Sequence, residues 1–411
     1  MPGKRTPSRG TGSQKRPARS SPPPARPVPG PDAFSALGEP AHLQSQAATL
    51  LLIGSQLRGD PAATRARAVA ASGPMALSTT GTVDALPPED VQALGFPSMS
   101  VGAPRFRPEH LQRLVGRRFA AARLTGPGRS ALQAAARSLA PTATEFYREP
   151  SPETAADLLE VSLRHPHELV RVAAAVSYFA VAADPAPALR ILERGLASRD
   201  LLTRDVAAHA LARVDPRNPR LAKLLEPRSR RSTRKPSRTG LIVHGTWGRA
   251  SSWWQPPTGD FWKYLHDTVD GTLYGAADRF EWSGGYSDVA RALAGSDLQA
   301  WVQQHRLAGL DLFTHSHGGS VAMLASHAGT AVGGLVLLSC PVHWPKYTPD
   351  FSRVSKVVSV RVHLDLVILA DGGGQRFYDT RVHENVLPVW FDHFATHDPA
   401  TWEQHDVKSM L

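Results

Sequence analysis

The chain is 411 residues long, with one cysteine and a formal charge of +11. That length admits two or three domains, and a lone Cys340 excludes both an intrachain disulfide framework and a cysteine-built metal cluster. The charge is local: residues 1–31 carry seven basic side chains, residues 227–238 carry six, and neither stretch holds an acidic one, so the remainder is close to neutral. This argues against a dedicated nucleic-acid-binding domain and confines loose anion contact to a tail and a linker.

Residues 1–31 are basic, rich in Ser, Pro and Gly and poor in large apolar groups, a composition expected to stay disordered. The start runs into Ser20-Ser21-Pro22-Pro23-Pro24 rather than an apolar signal segment, and Ala47–Ile53 is too short to span a bilayer. A cytoplasmic protein with at most peripheral membrane contact is expected. Residues 32–105 carry no function signal. Ala41–Leu57 and Ala62–Ala71 have helical spacing, and Gly73–Met99 reads as loop.

Residues 106–226 read as all-α, with segments His110–Ala122, Ser130–Leu139, Pro152–Leu163, Leu169–Ala183, Pro187–Leu196, Leu202–Val214 and Arg220–Leu225, punctuated by prolines such as Pro141 and Pro150. Arg171-Val172-Ala173-Ala174-Ala175-Val176 is echoed 33 residues later by Arg204-Asp205-Val206-Ala207-Ala208-His209. The echo weakly resembles the second helix of HEAT-type repeats, which implies a separate helical-repeat-like domain able to hold a protein partner; an irregular bundle is the competing reading. Residues 227–238 form a self-repelling basic linker and a domain boundary.

From Thr239 to Leu411 short apolar runs alternate with amphipathic ones. Leu241–Val243, Arg279–Trp282, Leu310–Phe313, Val332–Leu338, Lys356–Val362 and Asn385–Trp390 read as strands; Phe261–Val269, Ser287–Gln304 and Val321–Ala328 read as helices. This order predicts an α/β domain with a mostly parallel sheet covered on both faces. Chemistry in such a sheet gathers at the carboxyl ends of its strands. There the sequence delivers His244-Gly245-Thr246, Thr314-His315-Ser316-His317-Gly318-Gly319, Asp365, and His393 with His397.

A serine hydroxyl needs a histidine to take its proton, and that histidine needs a carboxylate to fix its tautomer. Ser316, Asp365 and His393 occur in the required order, with His397 as alternative base and Asp371 as alternative acid. The backbone N–H groups of Thr246 and His317 are the candidate donors to a developing oxyanion.

These stretches resemble the α/β-hydrolase fold in its lipase/esterase-like branch: Val243-His244-Gly245-Thr246-Trp247, His315-Ser316-His317-Gly318-Gly319 and Asp365-Leu366-Val367. The resemblance covers residues 239–411 and implies ester hydrolysis through a Ser–His–Asp triad without a cofactor. Ser316 fills the nucleophile position, Asp365 the acid, and His393 or His397 the base. Two departures stand out: Thr314 replaces the first glycine of the Gly-x-Ser-x-Gly turn, and the first hairpin of the fold is missing.

His244, His315 and His317 read as side chains bracing the turns. Trp247, Trp253 and Trp254 either line an acyl pocket or cover the core. His393 and His397 with Asp398 lack a metal-binding helix pattern, and no dinucleotide or phosphate-loop motif is present, so neither metal nor cofactor is expected. The leading expectation is a serine hydrolase acting on a small-molecule or lipid acyl ester. The alternative is a non-catalytic helical-repeat interaction protein with a silent hydrolase-like domain.

Overall fold

The computed structural model describes residues 26–35, 38–58, 86–97, 99, 129–179, 186–225, 240–307 and 309–411. Five strands, β1 (Gly240–Val243), β2 (Leu310–His315), β3 (Val332–Leu338), β4 (Val354–His363) and β5 (Val382–Trp390), form one all-parallel sheet in sequential order. Successive side chains on a strand point to opposite faces. Thus Leu241, Val243, Leu310, Leu312, Leu335 and Leu337 enter one core, and Ile242, Phe313, Val336, Leu338, Val358 and Val360 enter the other. The expected strand at Arg279–Trp282 is instead irregular; parallel pairing on the outer side of β1 is a single bridge from Gly240 to Leu273. Side-chain ties hold that segment: the Trp282 indole donates to His244 O at 2.7 Å, and Arg249 pairs with Glu281 at 2.5 Å.

The helices on the sheet follow their amphipathic patterns. The N-terminal side of the chain supplies α1 (Pro40–Leu57), α2 (Pro88–Ala93), α3 (Arg129–Arg148), α4 (Pro152–Ser162), α5 (Glu168–Phe179), α6 (Ala186–Gly195), α7 (Leu201–Val214) and α8 (Pro219–Ala222). The sheet domain supplies α9 (Asp260–Thr268), α10 (Asp288–Gln304), α11 (Gly318–His327), α12 (Leu366–Asp371) and α13 (Pro399–Gln404). Helix α11 packs on the first core face with α10, and α9 packs on the second with Trp402 of α13. A proline was expected to end the helix before Pro141; α3 runs through it to Arg148. The stretch read as loop from Gly73 holds α2, whose buried Asp90 accepts from His363 Nδ1 at 2.6 Å and faces Arg361 of β4 at 3.4 Å.

Residues 26–31, assigned by composition to a disordered tail, are held in place: Val28 N–H donates to Ser45 Oγ at 2.9 Å and Gly30 N–H to Leu94 O at 2.9 Å. The expected helices at Ala62–Ala71 and His110–Ala122, the end of the one at Leu169–Ala183, and the linker at 227–238 lie outside the described residues. Both copies of the 33-residue echo fall on buried faces, Val172 to Val176 on α5 and Val206 to Ala210 on α7. The expectation of a separate helical domain meets a different arrangement. One continuous buried cluster joins α1 and α3 to α7 with Leu366, Val367, Leu369 and Ala370 of α12, Phe391 and Trp247. The helical layer therefore covers the sheet at the end where α12 begins, and brings α7 to the carboxyl edge of the strands.

Candidate active site

The strand β2 ends at His315, and α11 begins at Gly318, with only Ser316 and His317 between them. A chain can reverse that fast only through a left-handed residue, and Ser316 adopts it with φ 52°. Its N–H donates to Leu338 O at 2.9 Å, and its carbonyl accepts from Gly319 N–H at 3.0 Å. Two glycines make the room. A Cβ on Gly318 would lie 2.3 Å from Val243 O, and one on Gly245 would lie 2.7 Å from Ser316 Cβ. Thr314 tolerates the position usually given to glycine because it is still within β2, fully buried, with its hydroxyl donating to Val336 O at 2.9 Å. Among the described residues the Ser316 hydroxyl has no hydrogen-bond partner.

Asp365 precedes α12. Its Oδ1 accepts from the N–H groups of Val367 at 2.9 Å and Ile368 at 3.2 Å, and Gln375 clamps its backbone at 2.9 and 3.2 Å. With one oxygen fixed as the helix cap, Oδ2 is turned to His393, whose Nδ1–H donates to it at 2.7 Å. Burial opposes charge on this imidazole, but the Asp365 carboxylate more than offsets that and raises its pKa above the ordinary value. The His393 loop rests on the residue before Ser316: His315 Nε2–H donates to His393 O at 3.3 Å, and the two rings meet edge-on at 4.6 Å.

His397 is held differently. It stacks on Trp253 at 4.0 Å with the rings 3° from parallel, and burial lowers its pKa to about 3. Asp398 caps α13 through Thr401 N–H at 2.9 Å. The structure thus brings His393, and not His397, to Asp365. Asp371 is likewise separated from His393 and serves another cluster. Its Oδ1 accepts from Tyr286 OH at 2.6 Å and His317 Nε2–H at 3.2 Å, and its Oδ2 from His343 Nε2–H at 2.8 Å. Burial alone would raise this carboxyl; the His317 and His343 donors hold it well below the carboxylate range.

The backbone N–H groups of Thr246 and His317 have no acceptor among the described residues. They lie in the loop after β1 and at the head of α11, and Gly245 in that loop touches Ser316. His244 braces the loop: it stacks on Trp282 at 5.7 Å, and burial lowers its pKa to about 4. Trp254 lies in the core with its indole bonded to Gly248 O, and Trp253 covers His397. Trp247 instead faces the helical layer, stacking on Tyr286 at 5.9 Å and meeting His209 of α7 edge-on at 4.7 Å. Sequence reasoning missed His209, Tyr286 and His343. None carries a local signal, because each reaches the site only through packing of distant segments. No family model, curated protein or solved structure matches this chain.

Proposed function

We propose that the protein is a serine hydrolase of esterase or lipase type with an α/β-hydrolase sheet. The observation that carries this reading is the left-handed Ser316 at the head of α11, with a hydrogen-bonded Asp365–His393 pair packed against the preceding residue. Asp365 binds Nδ1, which leaves Nε2 as the nitrogen that exchanges protons with Ser316. Ser316 Oγ attacks the acyl carbonyl as His393 Nε2 accepts the hydroxyl proton. The resulting oxyanion meets the N–H groups of Thr246 and His317. His393 returns the proton to the leaving alcohol, and water, deprotonated by the same nitrogen, releases the acid from Ser316. The substrate class is a small-molecule or lipid carboxylic ester.

A fluorophosphonate probe tests the reading. Labelling mapped to Ser316, with loss of labelling and of chromogenic-ester turnover in Ser316→Ala, is the expected result. Folded wild-type chain that neither labels nor turns over any ester in a chain-length series would refute it.

A further inference from the structure

Three groups from separate parts of the chain converge beside the serine turn: His209 of α7, His317 at the start of α11, and Asp371 at the end of α12. All three are buried, and their ligating atoms lie within 4.8 Å of one another. The tautomer of His209 is fixed. Its Nδ1–H donates to Asp205 O at 2.9 Å, so the lone pair of Nε2 points inward, and this buried atom has no hydrogen-bond partner. Leaving such an acceptor unpaired in the interior is costly, and at His209 two further ligating groups, His317 and Asp371, lie within reach of it. A histidine whose far nitrogen donates to a backbone carbonyl is the usual arrangement of a metal ligand.

We propose that His209 Nε2, His317 Nε2 and Asp371 Oδ1 bind a divalent first-row transition ion of zinc type, joining the helical layer to the serine turn. Two imidazoles and a carboxylate suit that class and leave a fourth position open. The outer contacts fit as well. When the ion takes Nε2 of His317, the ring hydrogen moves to Nδ1, which lies 3.4 Å from Ser320 Oγ as acceptor. Tyr286 and His343 continue to donate to Asp371, holding the carboxylate in place. Spacing alone hides the site, since His209 and Asp371 are far apart in the chain, and the fold sends His393, His397 and Asp398, the histidines and carboxylate close in sequence, to other partners.

The test uses the untagged full-length chain, stripped with chelator and titrated with Zn2+ against a competing chromophoric chelator, with Co2+ as spectroscopic probe. One equivalent of Zn2+ and the visible bands of four-coordinate Co2+ are expected. His209→Ala and Asp371→Asn should each weaken Zn2+ binding by at least about 100-fold, beyond the typical outer-shell effect. His383→Ala, an exposed histidine on β5, should leave Zn2+ binding unchanged. Absence of stoichiometric uptake by the wild-type chain overturns the proposal whether or not the variants fold, and so does uptake that His209→Ala leaves intact. The readout is the ion itself, so the result is independent of whether Ser316 turns over an ester.

Discussion

Acidification from about pH 7.5 to about pH 5.5 should destabilise this protein by several kcal/mol, and three buried histidines outside the Asp365–His393 pair contribute to that loss. His165, His244 and His397 are at most 9% exposed, and each has a buried Nε2 with no partner. Charging any of them would place an unpaired cation in apolar surroundings, and burial accordingly lowers their pKa values to about 4, about 4 and about 3. The unfolded chain takes up these protons near 6.5 while the folded chain does not. The stability is therefore fully present above 6.5 and is lost as pH falls through the window down to about 3–4. Near pH 5.5 each group contributes a loss of about 1 kcal/mol, together about 3–4 kcal/mol, against a typical total of about 5–15 kcal/mol. His393 acts with the opposite sign. Its folded pKa is raised, so its pairing stabilises below 6.5 and fades as pH rises through the folded value. Urea titrations at a series of pH values measure the sum. A midpoint at pH 5.5 equal to or above that at 7.5 would refute the reasoning. His397→Phe, which keeps the stack on Trp253, should remove about one third of the pH dependence attributed to these three groups.

Other expectations follow from the serine turn and its partners. Ester turnover (kcat/KM) should rise with pH through an ionisation above 6.5, the deprotonation of His393; a profile that falls over that limb would contradict its role as base. Asp365→Asn keeps an oxygen to cap α12, so thermal unfolding should change little while kcat falls by about 10⁴-fold, as loss of the orienting carboxylate does elsewhere. Ser316→Gly should be more stable than Ser316→Ala by about 1 kcal/mol in urea denaturation, because only glycine adopts φ 52° without strain; equal stabilities would show that the turn stores none. Gly318→Ala forces a methyl group to 2.3 Å from Val243 O, and should lower stability by at least about 1–3 kcal/mol; an unchanged midpoint would deny the close crossing of β1 and α11.

Local patterns carried most of the elements. The runs Val332–Leu338 and Leu310–Phe313 are apolar enough to be strands of a largely buried sheet, and α10 and α11 begin within a few residues of where their spacing says. Where the sequence misled, a long-range tie decided. Arg279–Trp282 has strand-like residues but is fastened by Arg249 and His244 O. The segment around Pro88 looks like loop until Asp90 meets Arg361 and His363.

By itself the sequence determined the α/β alternation, the parallel sheet, and the residue types offered at its strand ends, because side-chain period and turn chemistry are local properties. It left His393 against His397, and Asp365 against Asp371, open, since those pairs differ only in where distant loops carry them. Tertiary packing set His393 on Asp365 and His397 on Trp253, and gathered Tyr286, His317 and His343 around Asp371. It also laid α7 over the serine turn and delivered His209, a contact that exists only because α7 and α12 share one buried cluster.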